Sequence, residues 1–408
     1  MPTGRQAGTV SIETGNGLEG VRIARVSTVA FFLVTQLKDQ VERLAKMGAD
    51  VTLICSPGPE LKQLSLDQGL RYLPVRIERS IRPLRDLIAL VQLFRLFRRE
   101  RFDIIHTTTP KAGFVAGLAA YLARSPVRMH TFTGQVWVTQ RGLTRWLARF
   151  SDRVVGRLAT RCYADSPSQR DFLIDEGVIS GRKLHVIAEG SLAGVDLRRF
   201  DPARFSTSER AVFRARLGIP ASSAIFLFMG RITREKGVFV LLEAFEQIRG
   251  EGFDAALVMV GPLDDECGGE ASITAQDLHA RSGVCYAGFS ERPEEFMAIA
   301  DILCLPSFRE GFGTVVIEAA AMAVPSIGSR IVGLVDAIRD GETGLLVEPR
   351  SSAALCGAMR RLLTEPELRL RFGAAARARC AEIFDSNRVT WATAEEYRRS
   401  LVKVKGTY

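Results

Sequence analysis

Short runs rich in β-branched and aromatic residues alternate with longer stretches of helical periodicity along almost the whole of this 408-residue chain. Parallel sheets require that alternation, because each strand must be followed by a crossover, usually a helix, before the next can align beside it. In the first half the pattern places strands at Val21–Val26, Asp50–Cys55, Asp103–Thr107, Val127–Phe132, Arg161–Asp165 and Leu184–Ala188. In the second half it places them at Ala224–Met229, Ala255–Gly261, Ile302–Pro306, Pro325–Gly328 and Leu345–Val347. A chain of this length exceeds what one hydrophobic core covers, so two doubly wound α/β domains are expected. The break falls between Glu189 and Pro202, where glycines end a strand and proline opens irregular chain. Residues 1–20 read as a loose tail, 21–195 as the first domain and 196–388 as the second. Val389, Ala392, Ala394 and Tyr397 recur at helical spacing and mark a last helix.

Charge divides the chain as sharply as the strands do. Residues 1–200 carry 30 Lys and Arg against 18 Asp and Glu, whereas the remainder carries 25 against 28. A basic first half fits contact with a polyanion, and two segments show where. Arg141, Arg145, Arg149, Arg153, Arg157 and Arg161 recur every four residues among Leu143, Trp146, Leu147, Phe150, Val154 and Leu158. Pro83 to Arg99 repeats the design, with Leu84, Leu87, Ile88, Val91, Phe94 and Phe97 beside a basic end. Either could be a core-facing helix with a solvated polar side; with the charge asymmetry, an anionic membrane surface is the reading taken. Nucleic acid is not expected, since no basic and aromatic platform or DNA-reading motif accompanies the charge. The longest apolar run, Phe114–Ala123, is about half of the ~20 residues that a bilayer span requires. Seven scattered cysteines without a C-x-x-C pair suit reduced thiols, so a cytoplasmic protein, peripheral on the inner membrane face, is expected.

Two constellations carry chemistry. Gly230-Arg231-Ile-Thr-Arg-Glu-Lys236-Gly237 follows an apolar strand and opens a helix. Amide groups and two cations therefore converge where an anion, a diphosphate above all, is favoured. Ser307-Phe-Arg-Glu310-Gly311-Phe312-Gly313-Thr314 also leaves a strand for a helix, which carries Glu318 about one turn in, roughly 6 Å along its axis. There Glu318 can accept hydrogen bonds from vicinal ribose hydroxyls, while Glu310 in the loop can reach sugar hydroxyls. The plainer alternative makes Arg231, Lys236 and Glu310 solvated turn residues and Glu318 a charge favoured by the helix dipole. Elsewhere, His130 stands at a strand end, and His106-Thr-Thr-Thr109-Pro-Lys111 could offer a hydroxyl and a cation to an acceptor phosphate, or be a capped helix with an exposed lysine. Asp264-Asp-Glu266 has no partner cluster and reads as a solvated loop, so no metal site is expected. No carboxylate of the first half stands out as a second catalytic group.

The spacing of Glu310 and Glu318, the pair Arg231 and Lys236, and Ile331-Val-Gly-Leu-Val-Asp336 through Gly344 resemble the retaining glycosyltransferases of family four. The resemblance implies the GT-B fold, two Rossmann-like doubly wound domains facing across a cleft. The first would bind the acceptor and the second a nucleotide sugar, with the last helix, 389–405, packing back on the first. It implies that Arg231 and Lys236 hold the diphosphate, Glu318 the ribose and Glu310 the transferred sugar. Backbone groups of Gly311, Phe312 and Gly313 would complete the donor site, and His130 would match the active-site histidine. No cofactor is implied beyond the nucleotide diphosphate sugar, a co-substrate, and the departing diphosphate would deprotonate the acceptor on the retained face. His106 to Gly113 and Thr131 to Trp137 look like the branch that extends lipid-diphosphate-linked saccharides, with Thr109 and Lys111 as acceptor contacts, and UDP with an N-acetylated hexose as donor. The chain departs from many relatives in having Ser27-Thr-Val-Ala-Phe31-Phe32 where they carry a Gly-Gly pair. A nucleotide-sugar epimerase or hydrolase of the same fold, and a non-catalytic membrane-docking protein, are the rival expectations.

Overall fold

A computed structural model describes residues 17–58, 70–78, 80, 82–263 and 273–405. Two all-parallel sheets organise it. The first contains β1 (Arg22–Val26), β2 (Asp50–Cys55), β3 (Arg71–Pro74), β4 (Ile104–Thr108), β5 (Val127–Phe132), β6 (Arg161–Ala164) and β7 (Leu184–Val186), in the order β3-β2-β1-β4-β5-β6-β7. The second contains β8 (Ala224–Met229), β9 (Ala255–Val260), β10 (Val284–Gly288), β11 (Ile302–Leu305), β12 (Ser326–Ser329) and β13 (Gly344–Val347), in the order β10-β9-β8-β11-β12-β13. Each is doubly wound, with its strand order reversing between the first and fourth strands, and the fold is GT-B.

Burial explains which strands the sequence reveals. Residues of β9 and β11 are buried without exception, since helices cover both faces of a central parallel strand, and they spell continuous apolar runs. The sequence pattern does not mark β3 or β10. Both are edge strands, β3 reads Arg-Tyr-Leu-Pro with exposed ends, and β10 is half-buried throughout. An edge strand has no need of the apolar run that makes a central one legible.

The second sheet builds one continuous core with its helices. The first splits its apolar residues between layers: one beneath the helix Lys38–Lys46, one beneath Pro83–Glu100 and Pro110–Leu122, and a smaller one beneath Gly142–Leu158. The chain leaves the first domain and returns to it at one point. Val195 N donates to Phe384 O at 2.8 Å and Ser386 N to Val195 O at 2.9 Å. Gly194, at φ +70°, must be glycine, because a Cβ would stand 2.6 Å from Phe384 O. Beyond the crossing, the terminal helix Ser386–Lys405 lays Ala394 and Tyr397 in the first domain's core. The buried Arg25 donates to Tyr397 Oη at 2.6 Å.

Part of the expected tail belongs to the folded body. Residues 17–20 form a turn in which Leu18 is buried with the same core cluster, and Gly17 lies against Arg398. An apolar residue among Gly, Thr and Ser gives no periodicity to read, yet one leucine suffices to anchor a turn. Among the described residues no helix is long and apolar enough to cross a membrane.

Candidate functional site

The two glycine-bracketed loops follow β8 and β11, adjacent strands on either side of the point where the second sheet reverses its order. In open α/β sheets that point opens a crevice at the carboxyl ends of the strands. The loops meet there. Gly237 adopts φ +72°, and a Cβ on it would stand 2.0 Å from Pro306 O, so only glycine lets the first loop pass under the second. The contact brings Lys236 Nζ to 2.5 Å from Glu310 Oε1, and Ser307 Oγ donates to the same oxygen at 2.8 Å. The helix Thr314–Ala321 begins next, after Gly313 at φ +92°.

Arg231 is half-buried in the first loop, where its charge bears on Glu235. Burial pushes the Glu235 carboxyl up, but the Arg309 charge, hydrogen bonds from Thr139 and Arg309, and Arg231 outweigh it and leave it below the usual range. Thr139, which donates to Glu235 at 2.6 Å, belongs to the first domain, so this loop is tied across the cleft. Burial also raises Glu318 to about 7; Arg199 opposes the shift, while Glu294 and Asp39 add to it. Asp39 lies on Lys38–Lys46 in the first domain.

The first domain closes against these loops through backbone. A Cβ on Gly311 would stand 2.7 Å from Thr133 C and 3.0 Å from Asp165 Oδ2, and a Cβ on Gly333 would stand 2.6 Å from Gly311 O. Gly311 is therefore threaded between the ends of β5 and β6 on one side and Gly333 on the other. Beside it, Ser168 donates through N and Oγ to Asp336 Oδ2 at 2.9 and 2.5 Å, and Gly333 N donates to Ser168 Oγ at 2.9 Å. Phe31 meets Phe289 edge to face at 5.3 Å, the Ser27–Phe32 segment thus reaching the second domain.

His130 is buried on β5 against Gly113, whose Cβ would stand 2.4 Å from its ring. Burial drives its pKa to about 3, so the ring is neutral. Thr107 Oγ1 lies 2.8 Å from His130 Nδ1 and 3.1 Å from Met129 O, so it anchors the ring through Nδ1. The expected acceptor contacts have protein partners. Lys111 Nζ sits 2.5 Å from Asp86 Oδ2 and 3.2 Å from Ser80 O, and Thr109 Oγ1 is 2.7 Å from Thr28 Oγ1. The lysine is paired rather than an exposed cation at a helix start.

The basic amphipathic helices expose apolar residues of their N-terminal halves, while Leu93 and Phe97 of one and Val155 of the other pack inward. On Pro83–Glu100, Leu84 is 72% exposed, with Leu87, Ile88 and Val91 also exposed; on Gly142–Leu158, Trp146 is 58% exposed, with Leu143, Leu147 and Phe150. Trp146 stacks on Phe150 at 5.4 Å. The buried side of the second helix instead holds Asp152, which accepts from Trp137 Nε1 at 2.8 Å. A core-facing role thus fails for the first turns of both. Those turns start at the same carboxyl strand edge as the cleft.

One carboxylate in the cleft escaped the sequence reading. Asp165, just past β6, is 7% exposed; its Oδ2 lies against Gly311 and its Oδ1 has no hydrogen-bond partner among the described residues. Burial alone pushes it to about 8. An aspartate before Ser-Pro reads as helix-cap chemistry, and nothing local signals that a distant glycine will cover it. Asp264, Asp265 and Glu266 lie outside the described residues, and no cluster of three or more His, Cys, Asp or Glu is arranged for a metal among those described.

Residues 209–379 match the family model described as glycosyl transferases group 1, and residues 33–190 match the glycosyl transferase 4-like domain. The chain is 28% identical over 370 residues to the capsular polysaccharide biosynthesis glycosyltransferase CapM of Staphylococcus aureus, covering 90% of this chain and 94% of that one. It is 31% identical over 331 residues to the D-inositol 3-phosphate glycosyltransferase of Streptomyces scabiei, covering 76% and 72%. It is 25% identical over 335 residues to the UDP-Gal:alpha-D-GlcNAc-diphosphoundecaprenol alpha-1,3-galactosyltransferase of Escherichia coli, covering 81% and 84%. Among solved structures, Anabaena HepE in complex with UDP and glucose superposes with a TM-score of 0.77 at 18% identity, covering 92% of this chain and 99% of that one.

Proposed function

The chain belongs to the group 1, family-four-like glycosyltransferases and uses a nucleotide sugar, and from that premise we propose a retaining, metal-independent transfer of a hexose or N-acetylhexosamine from a UDP-sugar to a lipid-diphosphate-linked saccharide. The observation that carries the reading is the pair Lys236 and Glu310, held 2.5 Å apart where the loops after β8 and β11 meet. A bound donor exchanges this contact for two better ones. Its diphosphate takes the Lys236 ammonium, and its sugar hydroxyls take the Glu310 carboxylate. Arg231 and the amide end of the helix Thr314–Ala321 add fixed positive potential on the same side.

Breaking the bond from the anomeric carbon to the diphosphate oxygen sends its electron pair to the diphosphate and leaves the sugar cationic. Donors already aimed at those oxygens stabilise that charge without reorganising, so a divalent metal is not required in this reading. The acceptor oxygen bonds to the anomeric carbon from the departing side, and its proton passes to the diphosphate. Glu318 holds the ribose, Gly311 to Gly313 lend backbone groups, and His130 offers its Nε2 to a sugar hydroxyl. The first domain receives the acceptor. Thr109 contributes its hydroxyl there, and Lys111 leaves Asp86 for the acceptor's phosphates.

Two observations support a lipid-linked acceptor: the exposed apolar turns on the cleft rim, and the diphosphoundecaprenol substrate that the E. coli relative's name gives. The enzyme then works on the inner face of the cell membrane, with those turns in an anionic bilayer surface. A screen of UDP-glucose, UDP-galactose, UDP-N-acetylglucosamine and GDP-mannose by thermal shift should select a UDP-sugar. Incubation with diphosphoundecaprenol-linked N-acetylglucosamine should then yield a disaccharide of retained configuration, unaffected by chelator. Transfer to inositol phosphate instead would overturn the acceptor, and full-rate release of free sugar without acceptor would overturn transfer itself.

A further inference from the structure

We propose that Asp165 is a further substrate-binding residue of this transferase, its carboxyl engaging a sugar hydroxyl in the cleft at the seam between the acceptor-side sheet and the donor loop. The inference rests on the function proposed above and adds to it a group on the first domain.

Position comes first. Asp165 immediately follows β6, at the carboxyl edge that faces the second domain, and its Oδ2 lies against Gly311, the residue after Glu310. A group there is within one residue of the loop assigned to the transferred sugar, yet it belongs to the other domain. Second, the side chain has no structural task. The neighbouring helix Pro167–Asp175 is capped by Ser166, whose Oγ accepts from Gln169 N at 3.2 Å. Asp165 is held by its backbone alone, N donating to Gln169 Oε1 at 2.7 Å and O accepting from Ser191 N at 2.7 Å.

Third, the carboxyl is unpaired. The neighbouring elements carry His130, Arg170, Asp171, Asp175, Glu189, Arg309, Glu310 and Asp336, and no hydrogen bond or ion pair joins any of them to the carboxyl among the described residues. A buried polar oxygen left without a partner destabilises a fold, and a chain that keeps one in its cleft has a use for it. Sugar hydroxyls, each a donor and an acceptor, are what the cleft is built to receive. Burial keeps the acid neutral near pH 7, so it can accept through its carbonyl oxygen or donate its proton. A neutral group also adds no repulsion toward a departing diphosphate, whereas an ionised one would.

Stability and activity should therefore part company at this residue. A folded-state pKa above the unfolded value means that the native chain holds an extra proton, so stability declines as pH rises from about 4 to about 8. Asp165→Asn removes that decline: its melting temperature should exceed the wild type's at pH 8, with the gap closing toward pH 5. Asn keeps both hydrogen-bonding functions, so at pH 7 it should transfer within about threefold of wild type, and it should lose the wild type's fall in kcat above pH 8. Asp165→Leu should stay folded and bind UDP as wild type does while kcat/KM drops about a hundredfold.

Isothermal titration with UDP, UDP-glucose and UDP-N-acetylglucosamine locates the partner. Weaker binding of the intact UDP-sugar with unchanged UDP assigns Asp165 to the donor sugar; unchanged donor binding with a raised acceptor KM assigns it to the acceptor sugar. The proposal is overturned if Asp165→Leu retains kcat/KM within twofold, or if wild type and Asp165→Asn have superimposable pH profiles. A wild-type chain that binds no nucleotide sugar would instead remove the underlying function.

Discussion

The two sheets share one strand order, with the first extended by a seventh strand, yet they place their polar and apolar groups differently. The second packs a single apolar core and brings Lys236 and Glu310 together in the loops that leave two of its central strands. The first divides its core, buries Arg25, His106, His130 and Asp165, and exposes leucine and tryptophan on two helices. A donor with fixed chemistry calls for a stiff holder with preset charge. An acceptor of another chemistry calls for a surface with apolar reach and buried polar groups to spare. On the proposed reading the same topology serves a donor in the second half and an acceptor in the first because the strand-end loops and outer helix faces differ, while the sheets do not.

The largest effect should come from the second half. Lys236→Ala and Glu310→Ala should each lower turnover about a hundredfold or more with an unchanged circular dichroism spectrum, as expected for lost charge stabilisation of the leaving group. Wild-type rates would abolish the contrast between the halves. Replacing Leu143, Trp146 and Phe150 together by serine should reduce binding to phosphatidylglycerol vesicles about tenfold, while donor hydrolysis in solution stays at the wild-type rate. If vesicle binding persists, the apolar turns do not dock the first half.

Glu318 sharpens the contrast through pH. Ribose hydroxyls favour the ionised carboxylate, so UDP affinity should rise about fivefold between pH 6 and pH 8 as the group titrates near 7, and Glu318→Gln should flatten that rise. Calorimetry at the two pH values checks it. The smallest effect should be at the seam. Asp336→Asn weakens the two bonds from Ser168 to one oxygen, worth about 1 kcal/mol, and should change kcat/KM about threefold with no change in UDP binding.

The sequence showed most of what was periodic or clustered. Continuous apolar runs gave away the central strands, and the glycines at Gly230, Gly237, Gly311 and Gly313 marked the loops that the fold brings together. Edge strands β3 and β10 stayed hidden because half-buried strands carry no such run. Asp165 and the bond between Ser168 and Asp336 stayed hidden for another reason: each depends on a partner from the other domain, and no local pattern records that pairing. Helical spacing gave the basic amphipathic segments at 83–99 and 141–161, but which side faces water was decided by packing alone.

The proposed transfer requires the donor's diphosphate to displace Glu310 from Lys236. A crystal structure with UDP bound tests this directly. It should show Lys236 Nζ within hydrogen-bond distance of a phosphate oxygen, with Arg231 beside it and Glu318 on the ribose. Phosphates bound elsewhere, with Lys236 and Glu310 still joined, would contradict it.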